Sequence, residues 1–109
     1  MEENRRQELI QFYHDAFASA IGSGAYEDIE EIWTELSKLE PDNTPSFLRM
    51  AEDLRSRRKN DLAARLLLSL ARLYRESGNI AGRKTALREA ARLDPRNEQI
   101  KSETADLYR

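Results

Sequence analysis

Between residues 61 and 77 the sequence runs DLAARLLLSLARLYRES, placing Leu62, Ala63, Leu66, Leu67, Leu70, Ala71, Leu73 and Tyr74 at spacings of three and four. That is the period of an α-helix. The apolar arc is wider than the single stripe of a helix lying on a core, so this helix needs cover on two sides. Its remaining stripe, Asp61, Arg65, Ser69, Arg72 and Glu76, is polar and is expected to face water. A rod of this kind cannot fold alone; it requires other helices before and after it.

The rest of the chain supplies them. Leu9, Tyr13, Ala16, Phe17 and Ala20 form the stripe of a first helix, about 4–21, closed by Gly22-Ser23-Gly24, where glycine tolerates the left-handed backbone that ends a helix. A second, about 25–39, carries Tyr26, Ile29, Ile32, Trp33, Leu36 and Leu39 and stops at Pro41. Thr44-Pro45 opens a third, about 45–58, with Thr44 as cap and proline in the first turn, and with Phe47, Met50, Ala51 and Leu54 apolar. Asn60 or Asp61 is expected to cap the fourth, 61–77, which ends at Gly78-Asn79. A fifth, about 80–93, carries Ile80, Leu87, Ala90, Ala91 and Leu93. Asp94-Pro95 starts a sixth, about 96–108, with Ile100, Ala105, Leu107 and Tyr108. Its apolar period persists to Arg109, which suggests an array continuing in a longer protein. Gly82 is read as a glycine tolerated near a helix start. No segment alternates with the period of two that a strand requires. Links of two to five residues make consecutive helices antiparallel neighbours, and 109 residues suit a single domain.

Composition removes several classes of function. The chain has no cysteine and one histidine, so neither a disulfide framework nor a Cys- or His-rich metal cluster is available. Its longest aliphatic run is Leu66-Leu67-Leu68, far short of the ~20 residues of a membrane span, and the Met-Glu-Glu-Asn-Arg-Arg start shows no signal-peptide core. A cytoplasmic protein without membrane contact is expected. The net charge of −2 is unevenly spread: residues 1–53 hold thirteen acids against four bases, residues 54–109 fourteen bases against seven acids. Such a split can steer a charged partner.

An internal repeat narrows the architecture. Gly24 and Gly78 each lie 17 residues before a proline, Pro41 and Pro95; a bulky residue stands eight before it (Trp33, Leu87), a smaller or aliphatic one five before (Leu36, Ala90), and asparagine two after (Asn43, Asn97). Ala105 and Tyr108 repeat Ala71 and Tyr74 at a distance of 34. This resembles the tetratricopeptide repeat, whose period is ~34 residues. Residues 67–97 match that family best: Leu70, Ala71 and Tyr74 stand at the packing positions of a first helix, Gly78 at the turn, Leu87 and Ala90 on the second helix and Pro95 at the exit. Two features depart from the pattern. Arg83 occupies a position that is usually small, and Pro41 and Pro95 are 54 residues apart, not a whole number of repeats. The resemblance implies an all-α, right-handed stack of about six antiparallel helices, a TPR-like α-solenoid. A second run, from Leu39-Glu40-Pro41 through Phe47-Leu48, Ala51-Glu52, Leu62-Ala63-Ala64, Leu73-Tyr74 and Leu93-Asp94-Pro95 to Leu107-Tyr108-Arg109, resembles the helical amino-terminal regions of long bacterial Gre-type transcription elongation factors.

Candidate chemistry is sparse. His14 has neither a second histidine nor a cysteine near it, and a general base also needs a nucleophile and an orienting partner. The serines lack a Gly-x-Ser-x-Gly setting, and Gly22-Ser23-Gly24 follows a helix rather than a strand, so it is no phosphate cradle. Glu27, Asp28, Glu30, Glu31 and Glu35 read as the solvated face of the second helix. No catalytic role, cofactor or metal is therefore expected. Two basic groups remain. Arg55, Arg57, Arg58 and Lys59 are placed in the last turn of the third helix, where cations offset the dipole; a nucleic-acid contact is the other use of such a cluster. If the fourth helix acts as the first of a repeat, the resemblance implies that Arg65, Leu68 and Arg72, with Arg75 nearby, face a concave groove, where paired arginines would clasp an acidic peptide or a carboxylate. The expected function is a scaffold that holds a protein or peptide partner. The alternative is an accessory domain of a Gre-type factor touching RNA polymerase or nucleic acid.

Overall fold

The computed structural model describes residues 2–109. Among them the chain forms α1 (Glu2–Ser23), a 3-10 turn (Tyr26–Asp28), α2 (Ile29–Leu39), α3 (Thr44–Ser56), α4 (Asn60–Ser77), α5 (Ile80–Leu93) and α6 (Glu98–Leu107), with no strand. The all-α expectation holds. The helices group into two compact units that divide after Asp42.

In the first unit α1 packs against the 3-10 turn and α2. Its buried face is Ile10, Phe17, Ala20 and Ile21, met by Ile29, Ile32, Trp33 and Leu36. This differs from the stripe expected from sequence: Leu9 is exposed, while Ile10 and Ile21 take the core. Apolar residues stand on two faces of α1, and periodicity alone does not say which one is covered. Gly22 belongs to the helix, and Gly24, at φ 77°, makes the left-handed exit. The second helix is split, its expected first turn being the 3-10 segment. At the far end the Arg6 guanidinium donates from Nε, at 2.9 Å, and from Nη2 to the Leu39 carbonyl, satisfying a group that the end of α2 leaves open. His14 Nε2 lies 2.7 Å from Glu40 Oε2 and ties the middle of α1 to the same corner.

In the second unit α4 packs against both α3 and α5, as its wide apolar arc demands. Ala63, Ala64, Leu66, Leu67, Leu68, Leu70, Ala71 and Tyr74 are buried, and Asp61, Arg65, Ser69, Arg72 and Glu76 are exposed. From α3 come Phe47, Met50, Ala51 and Leu54, and from α5 Ala86, Leu87, Ala90 and Leu93. Ile80, expected on the apolar side of α5, is 63% exposed.

Several caps differ from the sequence reading. Asn43, not Thr44, caps α3, its side chain accepting from Ser46 N. Thr44 is free to bond the Tyr74 hydroxyl at 2.8 Å. Neither Asn60 nor Asp61 caps α4: Lys59 holds that position without a side-chain cap bond, because the chain leaves α3 through a left-handed Arg58, φ 63°. Asn97 caps α6 by accepting from Gln99 N and Ile100 N, so this helix starts after Asp94-Pro95 and not on it. Gly78, at φ 79°, closes α4 as expected. Gly82 does more than sit near a helix start. A Cβ there would fall 2.8 Å from the Tyr74 ring, so glycine lets α5 lie close on α4.

Candidate functional site

The arginines expected to line a groove are already engaged. Arg72 Nε lies 3.3 Å from Glu103 Oε2, and Arg75 Nη1 3.3 Å from Glu103 Oε1. Arg83 joins them from α5, with Nη2 at 3.5 Å from Glu103 Oε1 and 3.2 Å from Asp106 Oδ2. Three arginines from two helices thus converge on one carboxylate of α6. Arg83 is only 9% exposed, and its Nε is buried without a hydrogen-bond partner. A buried guanidinium of this kind needs its carboxylates close by, since a buried charge without a partner is strongly disfavoured. Leu68 is 2% exposed and presents no open surface. Arg65 stands exposed on α4. The structure therefore brings Arg72 and Arg75 together, but around Glu103, a residue the sequence reading did not single out. Arg83 stands where the resemblance expects a small residue. Its side chain reaches α6, while the neighbouring Gly82 provides the close approach to α4.

The basic run is not the last turn of a helix. Only Arg55 lies in the final turn of α3; Arg57, Arg58 and Lys59 form the exposed link to α4. Arg55 donates from Nε and Nη2 to Glu52 Oε1 at 2.8 and 2.5 Å. That hydrogen bond outweighs the opposing desolvation and, with the smaller contributions of the Arg55 and Arg92 charges, holds the Glu52 carboxyl below its ordinary value. The same partner raises the Arg55 guanidinium. Arg92 bonds Glu89 at 2.8 Å and reaches Glu52 at 3.7 Å.

The open apolar feature of the second unit lies between α5 and α6. Leu87, Ala91, Leu107 and Tyr108 line it with Thr104, and Lys84 and Arg88 stand at its rim. Tyr108 is 65% exposed, and the Lys84 ammonium lies 5.8 Å from the centroid of its ring, within cation–π range. At about 250 Å³ the groove falls below the ~300–1,000 Å³ of sites that enclose small ligands. The sequence carried a signal for it: Leu107 and Tyr108 continue the apolar period of α6, yet of the stripe expected there only Ile100 is buried.

A second hollow, between α1 and α2, is lined by Ala16, Ser19, Ala20, Ser23, Ala25, Asp28 and Ile32. Among the described residues no group of three or more His, Cys, Asp or Glu side chains is placed to hold a metal ion. No described helix is long and apolar enough to cross a membrane. No protein-family model matches the chain, and no curated protein matches it either.

Proposed function

We propose that this chain is a non-catalytic interaction module, a TPR-like stack of antiparallel helices that seats a protein partner in the groove between α5 and α6. One observation carries the reading: an apolar floor of Leu87, Ala91, Leu107 and Tyr108 stays open beside two cations, Lys84 and Arg88. Exposed apolar surface rimmed by polar groups is a feature of binding surfaces, and an aromatic side chain beside cations is a recurrent anchor. The repeated glycine-to-proline spacing and the two-sided burial of α4 support the stacked-hairpin architecture. The groove replaces the arginine face as the proposed site, because Arg72 and Arg75 are committed to Glu103 and Leu68 is buried.

A photo-crosslinking residue at Ala91 tests the reading. Crosslinks to a protein, abolished by Leu107→Asp with helicity retained, are expected. Crosslinking that ignores Leu107→Asp removes the groove from the proposal.

The exposed link of Arg57, Arg58 and Lys59 favours a second reading, an accessory domain of a Gre-type elongation factor that touches RNA polymerase or nucleic acid. Phosphate contacts give affinity that falls steeply with salt. A nucleic-acid titration whose affinity and salt slope do not change in a triple Arg57→Gln, Arg58→Gln, Lys59→Gln variant rules out the nucleic-acid form, and a failure of polymerase to bind the chain rules out the other.

A further inference from the structure

An occupant that matches this groove brings apolar side chains to its floor and acids to the Lys84 and Arg88 rim. The first unit of this same chain carries such a face. On α1, Leu9 and Phe12 are 47% and 61% exposed, three residues apart, with Ala16 next along the stripe. The Phe12 ring meets Tyr13 edge-on, centroids 5.2 Å apart at 79°. Glu8 and Asp15 flank the stripe and are exposed, and Arg5 lies at its N-terminal end. The charges of the two units are complementary: residues 1–42 hold eleven acids and three bases, residues 43–109 nine acids and fifteen bases.

We propose that the α5–α6 groove of one copy receives α1 of a second copy, with Phe12 and Leu9 over Leu87, Ala91 and Leu107, and with Glu8 and Asp15 facing Lys84 and Arg88. The inference rests on the groove being the docking surface proposed above and names its occupant. Apolar anchors at three- and four-residue spacing laid in a groove are a common mode of helix recognition, and opposed charges fix register and speed encounter. Each copy brings one α1 and one groove, so the contact either closes reciprocally between two copies or repeats from copy to copy.

Sedimentation velocity of the full chain at low salt is the test. The weight-average mass rises with concentration to the dimer or beyond, and falls on adding salt, which screens the rim charges. A Lys84→Glu, Arg88→Glu double variant and a Glu8→Lys, Asp15→Lys double variant each self-associate at least about tenfold more weakly, because like charges then face each other. Mixing the two restores association, with acidic groove against basic α1. Phe12→Ala keeps its helicity and loses association. A wild-type chain that stays monomeric to about 1 mM overturns the proposal, as does a mixture that stays apart. Should the Ala91 crosslinker capture a foreign protein while the chain shows no self-association, this occupant is wrong and the groove reading stands. Should it capture nothing as well, both fall.

Discussion

Gly82 and Tyr74 touch so closely that no side chain fits between them. A Cβ on Gly82 would lie 2.8 Å from Cδ2 and Cε2 of the Tyr74 ring and 2.6 Å from Asn79 Nδ2. The ring is fully buried, and its hydroxyl is bonded to Thr44 at 2.8 Å, so it cannot move aside cheaply. Alanine is favoured over glycine inside a helix by ~1 kcal/mol, but overpacking a core costs ~1–3 kcal/mol. Gly82→Ala is therefore expected to destabilise the fold on balance. Gly22→Ala is the control: its Cβ meets nothing within 4 Å inside α1, and a gain of up to ~1 kcal/mol is expected. Urea unfolding of both variants checks the opposite signs.

Leu67 and Leu70 lie on a helix covered from both sides and are essentially inaccessible to solvent. Truncation of either to alanine removes apolar contacts and leaves a cavity that α3 and α5 cannot fill without moving. A loss of ~2–5 kcal/mol is expected for each. An unfolding midpoint shift worth less than about 1 kcal/mol would show that the site collapses freely.

Glu103 is the shared partner of Arg72, Arg75 and Arg83, but the three pairs are not equivalent. The first two guanidiniums are 45% exposed, and pairs in water contribute ~0–1 kcal/mol. The Arg83 side chain is 11% exposed and Glu103 13%, so a lost partner there costs ~1–3 kcal/mol. Glu103→Gln should therefore destabilise more than Arg72→Gln or Arg75→Gln. Double-mutant cycles should give a larger coupling between 103 and 83 than between 103 and 72. Equal couplings would remove Arg83 from its place as the principal partner.

Helix identity was legible because most of the helices have an apolar period and a Gly or Pro boundary, as at Gly78 and Pro41. The central place of α4 within its unit followed from the width of its apolar arc. What the sequence concealed is long-range and side-chain specific. Glu103 lies 20 residues from Arg83 and 31 from Arg72, and no local pattern announces that three arginines meet on it. The same limit misplaced the candidate site, since a helical stripe tells which residues share a face but not whether a neighbouring acid already occupies them. On α1 two apolar faces compete, and burial of Ile10 rather than Leu9 depends on where α2 lies. The start of α4 moved to Lys59, directly after the left-handed Arg58, and at α3 Asn43 takes the cap while Thr44 bonds the Tyr74 hydroxyl.

Acid should weaken the link between Glu52 and Arg55 in a defined direction. The Glu52 carboxyl is held below its ordinary value of 4.5, first by the hydrogen bond from Arg55, which outweighs desolvation, and then by the charges of Arg55 and Arg92. A carboxyl depressed in the folded state binds fewer protons there than in the unfolded chain, so it favours folding above the unfolded value. That contribution is lost as pH falls from there through the depressed folded value. Arg55→Met should move the Glu52 midpoint up towards 4.5 in a carboxylate NMR titration, and should flatten the part of the stability curve that falls with acid. Arg92→Met should move it the same way by less, since Arg92 acts through charge alone and stands 3.7 Å away. A larger effect from Arg92 than from Arg55 would contradict the ordering of causes, because a direct two-nitrogen hydrogen bond at 2.5–2.8 Å must outweigh a longer, water-exposed attraction.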